Sequence, residues 1–104
     1  MQRLAFKMQL RNGNEDEYKK RHEEIWEDLK LLLKQVGIED YSIFLDEQTN
    51  TLFGVLKSSN PQLLEVLPQQ ALMKKWWRYM KDIMECNKDN SPVTVPLKEV
   101  FYLA

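Results

Sequence analysis

The sequence predicts an α+β domain of β-α-β-β-α-β order, with four strands in one antiparallel sheet and helices on one of its faces. Three observations predict it. The opening residues alternate apolar and polar with the two-residue period of a strand. Two longer segments repeat their apolar residues at helical spacing, and the strand-like runs between them are joined by a link too short for a crossover.

In residues 3–10, Leu4, Phe6, Met8 and Leu10 fall on one face and Arg3, Lys7 and Gln9 on the other. The turn RNGN ends this strand. Asn14 can cap the next segment, where Tyr18, Ile25, Leu29, Leu32, Leu33 and Val36 recur at helical spacing until Gly37 offers a left-handed cap. This predicts one helix of about six turns. YSIFLDE and TLFGVLK are two strands joined across the polar turn QTN, a hairpin. Asn60 followed by Pro61 opens a segment carrying Leu63, Leu64 and Leu67, which Pro68 breaks or kinks. A helix containing KKWWRYMKDIM follows, then the loop NKDNSPVTVP and a last strand, LKEVFYLA. The order is the split βαβ arrangement of ferredoxin-like domains.

The hairpin is apolar on both faces. Tyr41, Ile43 and Leu45 oppose Phe44, and Leu52 and Leu56 oppose Phe53 and Val55. Helices can cover only one side of the sheet, and large exposed apolar patches are uncommon on monomers. A homodimer with its two sheets face to face is the expectation.

A chain of 104 residues, 43% hydrophobic, fits a single domain over residues 1–104. Its 15 Lys+Arg and 16 Asp+Glu are interspersed and give a net charge of -1, so no field of one sign attracts nucleic acid or an acidic membrane. Cys86 is the single cysteine and cannot form an internal disulfide; MQRLAFKMQL is too short and polar for a signal peptide or a membrane span, which makes the cytoplasm the expected compartment. There is no CxxC, HExxH or glycine-rich phosphate loop, so neither a metal nor a nucleotide cofactor is expected.

His22 is the only histidine, the side chain best suited to proton transfer near neutral pH, and it follows Tyr18 by one helical turn. The competing reading is a surface histidine in the charged run KKRHEE. Tyr41 opens a strand, either as packing with its hydroxyl reaching water or as a pocket group. Trp76 and Trp77 point about 100° apart on a helix. Met73, Trp77, Met80 and Met84 share one stripe and Trp76 leads another with Tyr79 and Ile83, so at least one indole leaves the main core. An aromatic plane beside a pocket suits a sugar ring, a flat cofactor or a protein partner. DNSP, residues 89–92, is an ordinary turn or a set of polar groups for ligand hydroxyls, and Cys86 has no activating base beside it.

FKMQL, YKKRHEEIW, YSIFLDEQTNTLFG, KWWRYMKDIM, NKDNSP and LKEVFYL, in this order and at these spacings, resemble the L-rhamnose mutarotase family over essentially the whole chain. The resemblance implies a cytoplasmic, dimeric α+β barrel that interconverts the α and β anomers of L-rhamnose without a cofactor in rhamnose catabolism. It implies His22 as the proton donor, with Tyr18, Tyr41, Trp76 and Trp77 binding the sugar. Lys88 stands where the family commonly has proline. The base that complements His22 is open: a second protonation state of His22, a tyrosine hydroxyl, Asp89 or water. A haem-degrading oxygenase of the same fold and a sugar-binding module without turnover are the rival readings.

Overall fold

The computed structural model describes residues 1–104. Its strands are β1 (Gln2–Gln9), β2 (Ile38–Asp46), β3 (Thr51–Ser58) and β4 (Val95–Leu97), and its α-helices α1 (Glu15–Glu23), α2 (Glu27–Gln35) and α3 (Ala71–Met80); a 3-10 helix spans Pro61–Gln69. The strands form one antiparallel sheet in the order β2-β3-β1-β4. The sheet is the predicted one.

The alternation read in β1 and β3 sets the layers. Leu4, Phe6 and Met8 lie opposite Leu56, Gly54 and Leu52, and this face packs with Leu29 of α2 and Trp76 and Met80 of α3 in the core. The opposite face forms two rows across the sheet, Phe44-Phe53-Lys7-Val95 and Ser42-Val55-Ala5-Leu97. Phe44 is 63% exposed there, and Val55, Val95 and Leu97 are exposed with it. The apolar outer face expected from the hairpin is therefore present.

The segment expected as one six-turn helix is two helices. Trp26 is extended (φ -61, ψ 135) and the Ile25 N–H reaches back to the His22 carbonyl at 3.3 Å, a tightened last turn. No proline or glycine marks the break. α1 buries only Tyr18, whereas α2 buries Leu29, and re-aiming the chain at Trp26 lets each helix face its own neighbours. The Trp26 ring then packs edge-on against Trp76, which offsets the hydrogen bonds lost at the break. Asn14 precedes α1, but its amide donates to the carbonyls of Arg11 and Asn12 instead of capping the helix. Gly37 and Asn60 behave as expected: Gly37 is left-handed (φ 87), and the Asn60 side chain accepts from the Gln62 N–H at 3.2 Å.

Two further boundaries differ. α3 ends at Met80, and Met84 forms an isolated bridge with Leu10 beyond it. The last strand is Val95–Leu97 instead of residues 97–104; Leu97 pairs with Ala5, and in the same register residue 101 onward would have no partner in β1. Side chains continue the contact: Arg3 pairs with Glu99 at 3.2 Å, and its guanidinium lies over the Tyr102 ring.

Candidate active site

A cavity of about 1260 Å³ lies between the inner face of the sheet and the helices, and Tyr18, His22, Tyr41, Trp76 and Trp77 all line it. Five residues drawn from α1, β2 and α3 thus converge. An adjoining recess of about 100 Å³ is lined by the same five together with Met80, Met84, Cys86 and Asn90, among others.

His22 and Tyr18, one turn apart on α1, stack at 4.2 Å between ring centres and 26° between planes. His22 Nδ1 lies 2.9 Å from the Tyr18 carbonyl oxygen. A carbonyl only accepts, so Nδ1 carries the hydrogen and Nε2 is the nitrogen left to act. Burial pushes the imidazole pKa below its ordinary 6.5, against the opposing pull of that backbone bond. His22 is half-buried rather than on a solvated face.

The indoles divide the work differently from the stripe expected in the sequence. Trp76, not Trp77, is the core residue: it is 6% exposed and meets His22 edge-on at 5.5 Å and Trp26 edge-on at 5.0 Å. Trp77 is half-buried and lines the cavity beside it. One indole anchors the helix and shapes the wall; its neighbour is freer to meet a ligand.

Tyr41 reaches the cavity through a β-bulge. β2 carries one extra residue between the pairs Glu39–Lys57 and Ser42–Val55, with Asp40 at φ 49, so Ile38 is buried in the core and Tyr41 also faces inward. Phe6 supports it, edge to ring at 6.2 Å, and Gly54 opposite Phe6 leaves room for the Phe6 ring. Tyr41 is 37% exposed, yet burial around its hydroxyl pushes the pKa up to about 12. Burial first, and the nearby Tyr41 second, push the Tyr18 hydroxyl higher still. Both tyrosines remain neutral hydrogen-bonding groups at neutral pH.

Asp89 does not reach the cavity. Its carboxylate accepts from the Ser91 N–H at 3.0 Å and from the Ser91 hydroxyl, which together hold its pKa below the usual carboxylate range. Burial raises the Cys86 thiol pKa, so Cys86 stays protonated.

Two contributors were missed in the sequence. Trp26 continues the Tyr18, His22 spacing by four, a signal that was available. Arg21 had none for its role, because Tyr79 and Asp82, which it joins to α1, lie 58 and 61 residues away. Its guanidinium pairs with both oxygens of Asp82 at 2.9 and 3.1 Å, donates to the Tyr79 carbonyl at 2.7 Å and meets Glu17 at 2.9 Å. These partners leave only 11% of its side chain exposed. The bond set pins α1, and with it His22, to the end of α3 that carries the indoles.

The family model described as L-rhamnose mutarotase matches residues 3–103. The chain belongs to the L-rhamnose mutarotase family. Among its relatives, the L-rhamnose mutarotase of Formosa agariphila is 52% identical over 99% of both chains, and that of Sinorhizobium fredii is 52% identical over the full length of both. The L-rhamnose mutarotase of Listeria monocytogenes is 49% identical over both full lengths. A crystal structure of the Formosa agariphila L-rhamnose mutarotase superposes with a TM-score of 0.93 at 51% identity, covering all of both chains. An antibiotic biosynthesis monooxygenase shares the fold alone: its TM-score is 0.62 at 10% identity, over 96% of this chain and 99% of that one. The comparisons thus agree with the four-stranded ferredoxin-like sheet.

Proposed function

We propose that this protein is an L-rhamnose mutarotase, interconverting the α and β anomers of the sugar by acid–base ring opening and closure. The observation that carries the proposal is the convergence of His22 Nε2, two neutral tyrosine hydroxyls and two indoles on one cavity. Trp76 and Trp77 hold the apolar side of the pyranose, and Tyr18 and Tyr41 orient its hydroxyls. In its imidazolium form, with hydrogens on both ring nitrogens, His22 gives the Nε2 proton to the ring oxygen as the bond from that oxygen to C1 breaks. The anomeric hydroxyl loses its proton, C1 becomes an aldehyde, and rotation about C1–C2 presents its other face. Closure reverses each transfer, so His22 ends with the proton it began with.

Several observations bear on the base. Asp89 is turned onto Ser91, and the raised hydroxyl pKa values disfavour a tyrosinate. Cavity water takes the anomeric proton in this proposal. A positioned proton donor is typically worth ~10²- to 10⁴-fold, which suits a reaction that already proceeds unaided in water. The proposal needs no cofactor.

The outer sheet face, with Phe44, Val55, Val95 and Leu97 exposed, is proposed as the homodimer surface. A cytoplasmic place in rhamnose catabolism belongs to the same proposal; no helix is long and apolar enough to cross a membrane. Exchange NMR of the two anomeric protons of L-rhamnose tests the activity, in buffer, with the protein and with His22→Ala. Acceleration by the protein and its loss in the variant are expected. Exchange no faster than in buffer with folded protein would reject the mutarotase, and binding without exchange would leave a sugar-binding module.

A further inference from the structure

Asn90 stands in the loop between α3 and β4 at φ 71, a left-handed conformation that asparagine tolerates better than most side chains. The loop around it is closely bonded. Cys86 and Pro92 form a bridge, the Asn87 N–H meets the Ser91 carbonyl at 2.8 Å, and the Asn87 side chain meets the Ser91 hydroxyl at 3.0 Å. Asp89 holds the Ser91 N–H, and the Asn90 N–H closes back on the Asn87 carbonyl at 3.0 Å. Every one of these bonds is made by a neighbour or by backbone; the Asn90 amide takes part in none of them.

That amide is half-buried and lines the recess beside His22, Trp76 and Trp77, where the rest of the wall is largely methionine and aromatic. A side-chain amide offers two N–H donors and an acceptor, and none of them is taken up by the protein here. A hydroxyl both donates and accepts, so it is the group that matches the amide at a single point. We infer that Asn90 binds a ring hydroxyl of the sugar in this recess, and that the loop's internal bonds serve to hold its amide there.

The inference rests on the sugar-binding reading of the cavity and adds a residue to it. It also accounts for the loop's conformation: the left-handed turn at Asn90 aims the amide inward while Asp89 and Ser91 bond outside the cavity.

Asn90→Gly tests it, because glycine adopts positive φ freely and so removes the amide while preserving the turn. With one hydrogen bond to the sugar lost, the Kd for L-rhamnose is expected to rise about tenfold, with kcat/KM for anomer exchange falling alongside and thermal stability unchanged. Asn90→Asp, which keeps the shape and loses the N–H donors, gives a second reading should the glycine variant prove unstable. A folded Asn90→Gly protein with wild-type affinity and exchange would overturn the inference and assign Asn90 to the turn alone. Wild-type protein that neither binds L-rhamnose nor accelerates its exchange would overturn it too, and would show that the failure lies in the reading of the cavity.

Discussion

Gly54→Ala concentrates several features of the structure in one methyl group. A Cβ at position 54 would press into the Phe6 ring, closer to three of its atoms than carbon atoms pack, so the ring must withdraw by roughly 1 Å to reach van der Waals distance. Overpacking of this kind costs about 1–3 kcal/mol. For a domain of this length each kcal/mol is worth ~4–8 °C, so the melting temperature should fall by about 4–24 °C. The displacement also has a direction. Phe6 supports Tyr41, so its withdrawal shifts a cavity wall, and L-rhamnose affinity should weaken even where the variant remains folded. Calorimetric unfolding and titration calorimetry read the two effects. Trimming the ring in the double variant Phe6→Leu, Gly54→Ala should be less destabilising than the sum of the single changes, because the clash needs both groups. A Gly54→Ala protein with wild-type melting and wild-type affinity would refute the packing of Phe6 on Gly54 and its support of Tyr41.

The two indoles should separate in the laboratory. Trp76→Ala, at a core position, is expected to cost about 3–5 kcal/mol in urea unfolding, while Trp77→Ala should cost less and chiefly weaken L-rhamnose binding; equal effects on both measures would contradict the assignment. Because the folded pKa of His22 lies below 6.5, the unfolded chain binds more protons between the two values. Its contribution to stability is therefore complete above pH 6.5 and declines as pH falls through the folded pKa. Over the same interval the donor form of His22 grows, so protein-dependent exchange should rise toward mildly acidic pH, and a fall would make His22 the base. Phe44→Asp should convert a dimer into a folded monomer by sedimentation; a monomeric wild-type protein at micromolar concentration would remove the proposed interface.

Much of the fold was legible because its signals are local. Leu4, Phe6 and Met8 alternate, the QTN turn is too short for anything but a hairpin, and Asn60–Pro61 is a helix start that needs no tertiary help. The misplaced boundaries depend on distant partners. The break at Trp26 exists because Trp76 is there to receive the ring, and the register of the last strand on β1, which leaves no partner beyond residue 100, is something residues 97–104 cannot announce. Within the site, a resemblance to a known family singled out His22, Tyr18, Tyr41 and the tryptophan pair, and the structure gathers them in one cavity. The order of the indoles was not legible, since helical stripes rank positions by angle and the core is set by what faces them. Nor was Arg21, which read as one more charge in KKRHEE until Asp82 was brought beside it.

The extra residue in β2 sets a parity. A strand has only odd and even positions, and a regular one would send Ile38 and Tyr41 to opposite sides of the sheet. The insertion between Glu39 and Ser42 lets one strand serve two masters: even-numbered Ile38 completes the core and odd-numbered Tyr41 enters the cavity. Pairing the same residues regularly, with no bulge, would force a choice between a sound core and a complete site. The chain's count of residues at that point, more than the identity of any one of them, couples the stability of the domain to its chemistry.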